Sequence, residues 1–219
     1  FCLVHYPYRL HLEGHFLNIL WRNNNYRNLK KCFSTAGIAI ADVFISPMAL
    51  ADSVLTDSEK RSGCVLVDLG AQTTTVAVYS KNLLRHLAVI PLGSANITKD
   101  LTTLQMEEED AERIKLKYAS AYTDPEEDCT GLSYTIDAAS PIQSETLINV
   151  VEARIQEIIG NVKFQIPEIY YGKLLAGLIL TGGGAQLNNI EEAFRRKTSF
   201  TKIRTAKFVN HDIHSKHPE

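Results

Sequence analysis

The sequence predicts an α/β fold. Three observations carry this reading. Apolar runs of strand length end in small-residue turns at Leu69-Gly70-Ala71 and at Thr181-Gly182-Gly183-Gly184. A long stretch, 144–166, instead repeats apolar residues at three- and four-residue steps (Leu147, Val151, Ile155, Ile158, Val162), the period of a helix. The two kinds of segment alternate along the chain, as layered sheet-and-helix proteins require. Hydrophobic residues make up 45% and charged residues 22%, a globular balance that excludes a disordered chain.

Residues 10–21 mix apolar and polar positions and are expected to be strands. Tyr26 to Ala36 reads as a helix with Leu29, Cys32 and Phe33 on one stripe and Gly37 at its stop. Val43-Phe44-Ile45 is expected as a short strand, with Ser46 capping and Pro47 opening a helix over 48–55. A polar loop should span 56–63. Cys64–Leu69, Thr75–Tyr79 and Leu84–Ile90 then form a three-strand meander, with Ser80-Lys81-Asn82 as one of its turns. Helices follow over 94–104 and 107–118; the second opens on Glu107, Glu108, Glu109 and Asp110, the favourable charge sign for a helix N-terminus. Residues 122–131 read as a loop whose acidic cluster is solvated surface. After the helix at 144–166, Leu178-Ile179-Leu180 is a buried strand, and 187–194 begins another helix.

Lysine plus arginine number 23 against 25 aspartate plus glutamate, so no broad nucleic-acid platform is expected. Cys2, Cys32, Cys64 and Cys129 lie at least 30 positions apart and form neither a zinc nor a redox pair. Cys64, inside an apolar run, reads as a small core residue, and a reducing cytoplasm is the simplest compartment. No apolar run reaches membrane-spanning length. His211, His214 and His217 read as a polar tail and not as metal ligands. The chain does not begin with methionine, and its 219 residues are expected to be a fragment of something larger.

Two turns could carry chemistry. In Val67-Asp68-Leu69-Gly70-Ala71-Gln72-Thr73-Thr74-Thr75, a strand brings a carboxylate to its end and the chain returns through hydroxyl residues. Such a hairpin offers backbone N–H groups and threonine hydroxyls to phosphate oxygens, and Asp68 could hold a hydrated Mg²⁺ or orient a water. An ordinary hairpin in which Asp68 caps its own turn is the alternative. In Leu180-Thr181-Gly182-Gly183-Gly184-Ala185-Gln186-Leu187, three glycines let a ligand approach the backbone, and a following helix would favour an anion or an adenosine group. Neither turn is a dinucleotide fingerprint or a P-loop. Between them, Glu112 and Lys115 sit three apart on one helix face. The carboxylate could meet a ribose hydroxyl and the ammonium an adenine edge; the alternative is a surface ion pair worth tenths of a kcal/mol.

These elements, in this order, resemble the actin-like ATPase superfamily and, within it, the FtsA family of bacterial cell-division proteins. The hairpin is similar to that family's second phosphate motif, Val-Asp-Ile-Gly-Gly-Gly-Thr-Thr-Asp. Ala111-Glu112, Lys115 and Tyr118-Ala119-Ser120-Ala121 resemble its nucleotide-contacting helix, and 180–187 its adenosine motif. Leu84–Gly93, Asn96-Ile97-Thr98-Lys99-Asp100, Leu12–Phe16, Ala36-Gly37 and Ser46-Pro47-Met48-Ala49 extend the likeness over almost the whole chain. Four positions depart from the pattern: Ala71 and Gln72 replace two glycines, Thr75 replaces an aspartate, and Ser46, to which no function is attached, replaces a common acidic residue. The first two restrict the backbone near the phosphates; the third bears on hydrolysis more than on binding. Nothing here matches the family's first phosphate motif or its basic membrane-tethering helix.

The resemblance implies a partial actin-like (ribonuclease H-like) fold with the FtsA-specific subdomain at the N-terminus. Residues 1–36 would be part of domain 1C and 37–60 a remnant of the first actin-like half, 1A. Residues 61–95 and 176–219 would form the large subdomain 2A, and 96–175 the outer subdomain 2B. ATP with Mg would be the cofactor of the full-length protein, contacted by Asp68, Gly70, Ala71, Gln72, Thr73 and Thr74 on the phosphate side. Glu112, Lys115, Gly182, Gly183 and Gly184 would contact the adenosine, with Asp68 holding Mg through water. The function implied is an adaptor linking the FtsZ ring to the cytoplasmic face of the inner membrane at the division site, with weak or no ATP turnover and an inactive fragment. Partners would be the FtsZ C-terminal peptide on 96–175, further copies in filaments, other division proteins through 1C, and the membrane only through the missing helix; nucleic acid is not expected. The alternatives are a kinase- or chaperone-type actin-like ATPase and a pilus-assembly adaptor.

Overall fold

The computed structural model describes residues 17–20, 23–124, 133–134 and 142–207. The chain divides into two compact units, Phe1–Val43 and Phe44–Glu219. In the first, residues 17–20 are irregular, not the strand expected there; the rest of the expected strand region lies largely outside the described residues. Helix α1 (Asn23–Thr35) stops as anticipated at Gly37, whose φ of 71° suits glycine. Its Leu29–Cys32–Phe33 stripe buries nothing.

The second unit opens with Phe44-Ile45 in irregular backbone, so the short strand at 43–45 does not form; among the described residues no strand pairs with it, and Phe44 is largely exposed. Helix α2 (Ser46–Val54) carries Pro47 in its first turn, but Ile45 is the capping residue and Ser46 already lies inside the helix. The polar stretch at 56–63 is not a loop. It holds helix α3 (Asp57–Ser62), started by a capping box in which Glu59 N–H donates to Thr56 Oγ1 (3.2 Å) and Thr56 N–H to Glu59 Oε2 (2.8 Å).

Strands β1 (Cys64–Leu69), β2 (Thr74–Ser80) and β3 (Leu83–Ile90) form the expected meander. Its second turn places Lys81 and Asn82 at positive φ, the geometry that two-residue hairpins favour. Helices α4 (Ser94–Thr102) and α5 (Glu108–Tyr118) follow; Glu108, Glu109 and Asp110 do occupy the first turn of α5. Short strands β4 (Ser133–Tyr134) and β5 (Ile142–Gln143) pair antiparallel ahead of α6 (Ser144–Gln165). The chain ends with β6 (Gly177–Thr181), α7 (Ile190–Lys197) and β7 (Ile203–Thr205). The last strand was not anticipated, because three residues of intermediate exposure carry no periodicity.

The sheet runs β3-β2-β1-β6-β7, antiparallel across β1, β2 and β3 and parallel from β1 through β6 to β7. Alternation splits its side chains between two cores. Val65, Val67, Val76, Val78, Leu178 and Leu180 face α4–α7 and meet Ile97, Ile114, Val151, Ile155 and Phe194. Cys64, Leu66, Ala77, Tyr79 and Ile179 face the other way, against Ala51, Val54 and Leu55 of α2 and the residue after it. Burial pushes the Cys64 thiol up to about 12, so it is an inert core residue, as its sequence context implied. Arg204 on β7 donates to both Glu59 oxygens (2.8 and 2.9 Å) and to the Val54 carbonyl, pinning α2 and α3 to the sheet. Arg154 grips Asp100 through two bonds (2.6 and 2.8 Å), joining α6 to α4. Among the described residues, no helix is long and apolar enough to cross a membrane.

Candidate functional site

β1 and β6 are parallel neighbours, so the turns that leave them emerge side by side at one edge of the sheet. The first turn closes when Gly70 N–H donates to the Thr73 carbonyl (2.9 Å). It is then held from outside by the start of α4, where Ser94 N–H donates to Gly70 O (2.9 Å) and Ala95 N–H to Ala71 O (2.8 Å). Gly93 makes this approach possible: a Cβ there would lie 2.4 Å from Ala71 O. The carbonyls of Gly70, Ala71 and Thr73 are therefore engaged, while the N–H groups of Ala71, Gln72 and Thr73 donate to no described residue. All three side chains are exposed. Successive backbone N–H groups left without an acceptor suit an anion.

Thr74 departs from expectation. Its side chain is fully buried and its hydroxyl donates to the Leu92 carbonyl (2.8 Å), so it fastens β2 to the segment after β3 and is not offered to a ligand. Asp68 shares the sheet face of Cys64 and Leu66, with Thr75 and Thr181 as its register partners. Burial pushes its carboxyl above the usual range, and no described donor or cation offsets that cost.

The glycine turn presses against the first. Gly182 has φ +87°, and a Cβ on it would fall 2.5 Å from Asp68 Oδ1 and 2.6 Å from Leu69 O. Gly184 abuts Leu69 as well, whereas Gly183 has nothing within 4 Å of an added Cβ. The expected helix does not start at once. A 3₁₀ turn covers Gly183–Gln186, and α7 begins only at Ile190, after Asn189 in a left-handed conformation.

Glu112 and Lys115 are not a surface pair. Lys115's side chain is 8% exposed and Glu112's 43%, with Nζ 2.6 Å from Oε2. Thr98 on α4 completes the group: its hydroxyl donates to Glu112 Oε2 (2.5 Å) and accepts from Lys115 Nζ (2.9 Å). Burial alone would raise the Glu112 pKa, but the hydrogen bonds from Lys115 and Thr98 outweigh it and hold the carboxyl below its ordinary value.

These pieces enclose a cavity of about 370 Å³, within the range of small-molecule sites. Ala71, Glu112, Lys115, Gly183 and Gly184 line it; Asp68, Gly70, Gln72, Thr73 and Gly182 border those residues, and Thr74 stands apart. The remaining wall comes from Leu69, Ile97, Ala119, Gln186 and Leu187, which lie in the family-like segments, and from Ser94, Leu116, Ile155, Ile158 and Asn188, which sequence reading did not single out for the site. Segments 119–122 and 188–189 are strapped together. Ala121 N–H donates to Asn188 O (2.8 Å), and Asn189 Nδ2 to Ser120 Oγ (3.1 Å) and Tyr122 O (2.9 Å). Among the described residues, no three His, Cys, Asp or Glu converge as metal ligands. The histidine tail after 210 and the acidic cluster at 126–128 lie outside those residues.

A sheet of this order, backed by helices and with a cavity between its glycine turn and α5, has the fold of the actin-like ATPases. It superposes on MreB5 of Spiroplasma citri, solved bound to AMPPNP and to ADP, with TM-scores of 0.71 and 0.70. The match to the AMPPNP form has 18% identity and covers 85% of this chain and 60% of that one. The family model for cell division protein FtsA matches residues 65–218, and the chain belongs to that family. It is 34% identical to the cell division protein FtsA of Bacillus subtilis over 186 residues, 83% of this chain and 42% of that protein. It is 35% identical to that of Neisseria meningitidis over 189 residues, 82% of this chain and 44% of the relative. The chain thus spans less than half the length of these relatives.

Proposed function

We propose that this chain holds ATP in the 370 Å³ cavity and acts as part of an adaptor that links the FtsZ ring to the cytoplasmic membrane at the division site. One observation carries the nucleotide reading: two glycine-containing turns far apart in sequence and the Glu112–Lys115 pair converge on that cavity. Glu112, Gly183 and Gly184 would face the adenosine, beside Lys115 and Gly182. The N–H groups of Ala71, Gln72 and Thr73, in the turn that Gly70 opens, would donate to phosphate oxygens. Asp68, an unsatisfied carboxylate beside that turn, suits a hydrated Mg²⁺. Bound ATP would supply a conformational ligand that favours one arrangement of the protein by differential affinity.

In this reading, residues 61–95 and 176–219 serve as the large subdomain and 96–175 as the outer one that receives the FtsZ C-terminal peptide. Residues 37–60 come from the first actin-like half, with α2 covering the sheet of the second, and 1–36 belong to the family-specific domain that meets other division proteins and further copies. Calorimetric titration of the chain with MgATP, and separately with an FtsZ C-terminal peptide, tests both parts. A saturable heat is expected from the peptide and a weak one from MgATP, because nothing in this sequence matches the family's first phosphate motif. Peptide binding without ATP binding would remove the nucleotide reading and keep the adaptor, and the reverse result would remove the docking site.

A further inference from the structure

Lys115 has three N–H donors, and the protein accepts all three. Glu112 Oε2 lies at 2.6 Å, Thr98 Oγ1 at 2.9 Å and the Ser94 carbonyl at 3.4 Å. An ammonium engaged in this way reaches a nucleobase only by giving up a buried bond. The carboxylate beside it is in the opposite condition. Oε2 takes both the ammonium and the Thr98 hydroxyl, whereas Oε1 accepts from none of the described residues and Glu112 is the exposed member of the group. Thr98 itself is buried and does not line the cavity. Its hydroxyl sits between the two charges, donating to one and accepting from the other, an arrangement only a hydroxyl can satisfy.

We propose that Thr98 is a positioning residue: it ties Lys115 back as a buried counter-ion and turns Glu112 so that Oε1 alone faces the cavity, where it accepts from the sugar hydroxyls of the ligand. This rests on the nucleotide reading above and replaces the expected contact between Lys115 and an adenine edge. Recognition at this wall is then of a donor-bearing sugar, not of the base. The same turn of α4 holds the hairpin through Ser94 and Ala95, so Thr98 lies one turn from the proposed phosphate contacts without touching them.

The test compares ATP with 2′,3′-dideoxy-ATP in calorimetric titrations of the wild-type chain, Thr98→Val and Thr98→Ser, with thermal melts of each. Wild type should favour ATP by about tenfold, the scale of one hydrogen bond to a charged group. Thr98→Val should lose that preference, and Thr98→Ser should keep it. Inosine triphosphate should bind in the same ratio to ATP in wild type and Thr98→Val, because Lys115 does not read the base. A Thr98→Val chain that melts cooperatively and still prefers ATP tenfold overturns the positioning role. If Thr98→Val does not fold, Thr98→Cys, which keeps the volume but weakens the hydrogen bonds, replaces it with the same expected loss. A wild type that binds neither nucleotide overturns the nucleotide reading and this inference with it.

Discussion

The two turns at the sheet edge reach their shapes by different means. The hairpin turn at 70–73 is held at a distance, through two carbonyls that accept from the first N–H groups of α4. Its side chains are exposed, and residues other than glycine occupy three of its four positions. The turn at 182–184 is held by contact, with Gly182 and Gly184 against the backbone of Leu69. A turn fixed by hydrogen bonds tolerates side chains that point outward. A turn fixed by close packing requires their absence. This explains how Ala71 and Gln72 can stand where the family pattern has glycine, while Gly182 and Gly184 cannot be replaced; Gly183, with nothing within 4 Å of an added Cβ, is not held to glycine by packing.

The largest test of this contrast is Gly182→Ala. The new Cβ meets both Asp68 Oδ1 and Leu69 O at a backbone angle that side chains rarely adopt, so chemical denaturation should show a loss of about 3 kcal/mol or more. On the other turn, Thr74→Val leaves the Leu92 carbonyl without its donor and should cost about 1–2 kcal/mol in the same measurement. Gly183→Val should cost less still in stability, about 1 kcal/mol or below, because nothing lies within 4 Å of its Cβ position. It should nonetheless weaken ATP by roughly tenfold by filling the cavity edge. An equal stability loss at 182 and 183 would break the contrast.

The smallest effect concerns Asp68. Burial raises its pKa in the folded chain, so the folded state binds that proton more tightly than the unfolded one. The stability it contributes is full below the unfolded carboxylate pKa and is lost as pH rises through the folded value. Asp68→Asn should therefore melt slightly above wild type at neutral pH, and the two curves should converge in acid. Mg-dependent ATP binding should fall in the same variant.

Much of the fold was legible because burial imposes period. β1, β2, β3, β6 and α6 carry continuous or stepped apolar patterns, and both glycine turns stand where those patterns end. What escaped lies where burial does not set the residue type. Helix α3 buries nothing and was hidden in a polar stretch, although its Thr56-x-x-Glu59 cap was readable. The run 43–45 looks like a strand and, among the described residues, has no partner to make it one. At the cavity, Ala71, Glu112, Lys115, Gly183 and Gly184 come from segments singled out in the sequence, whereas Ile155, Ile158 and Asn188 reach it only through tertiary packing. The role of Thr74 was misjudged because adjacent threonines face opposite sides of a strand, and composition does not say which.

The parallel pairing of β1 with β6 also sets a schedule. The meander closes through short turns, and such hairpins form in about 1–10 μs. β6 pairs with β1 only after α4, α5 and α6 have been made, a large loop whose closure entropy precedes any reward. At about 5–20 residues per second, a ribosome needs roughly 5–20 s to go from the end of β1 to Thr181. Throughout that interval the edge of β1 that will receive β6 is an open template carrying Val65 and Val67. The nascent chain is therefore most exposed to wrong strand pairing just before its own partner strand emerges.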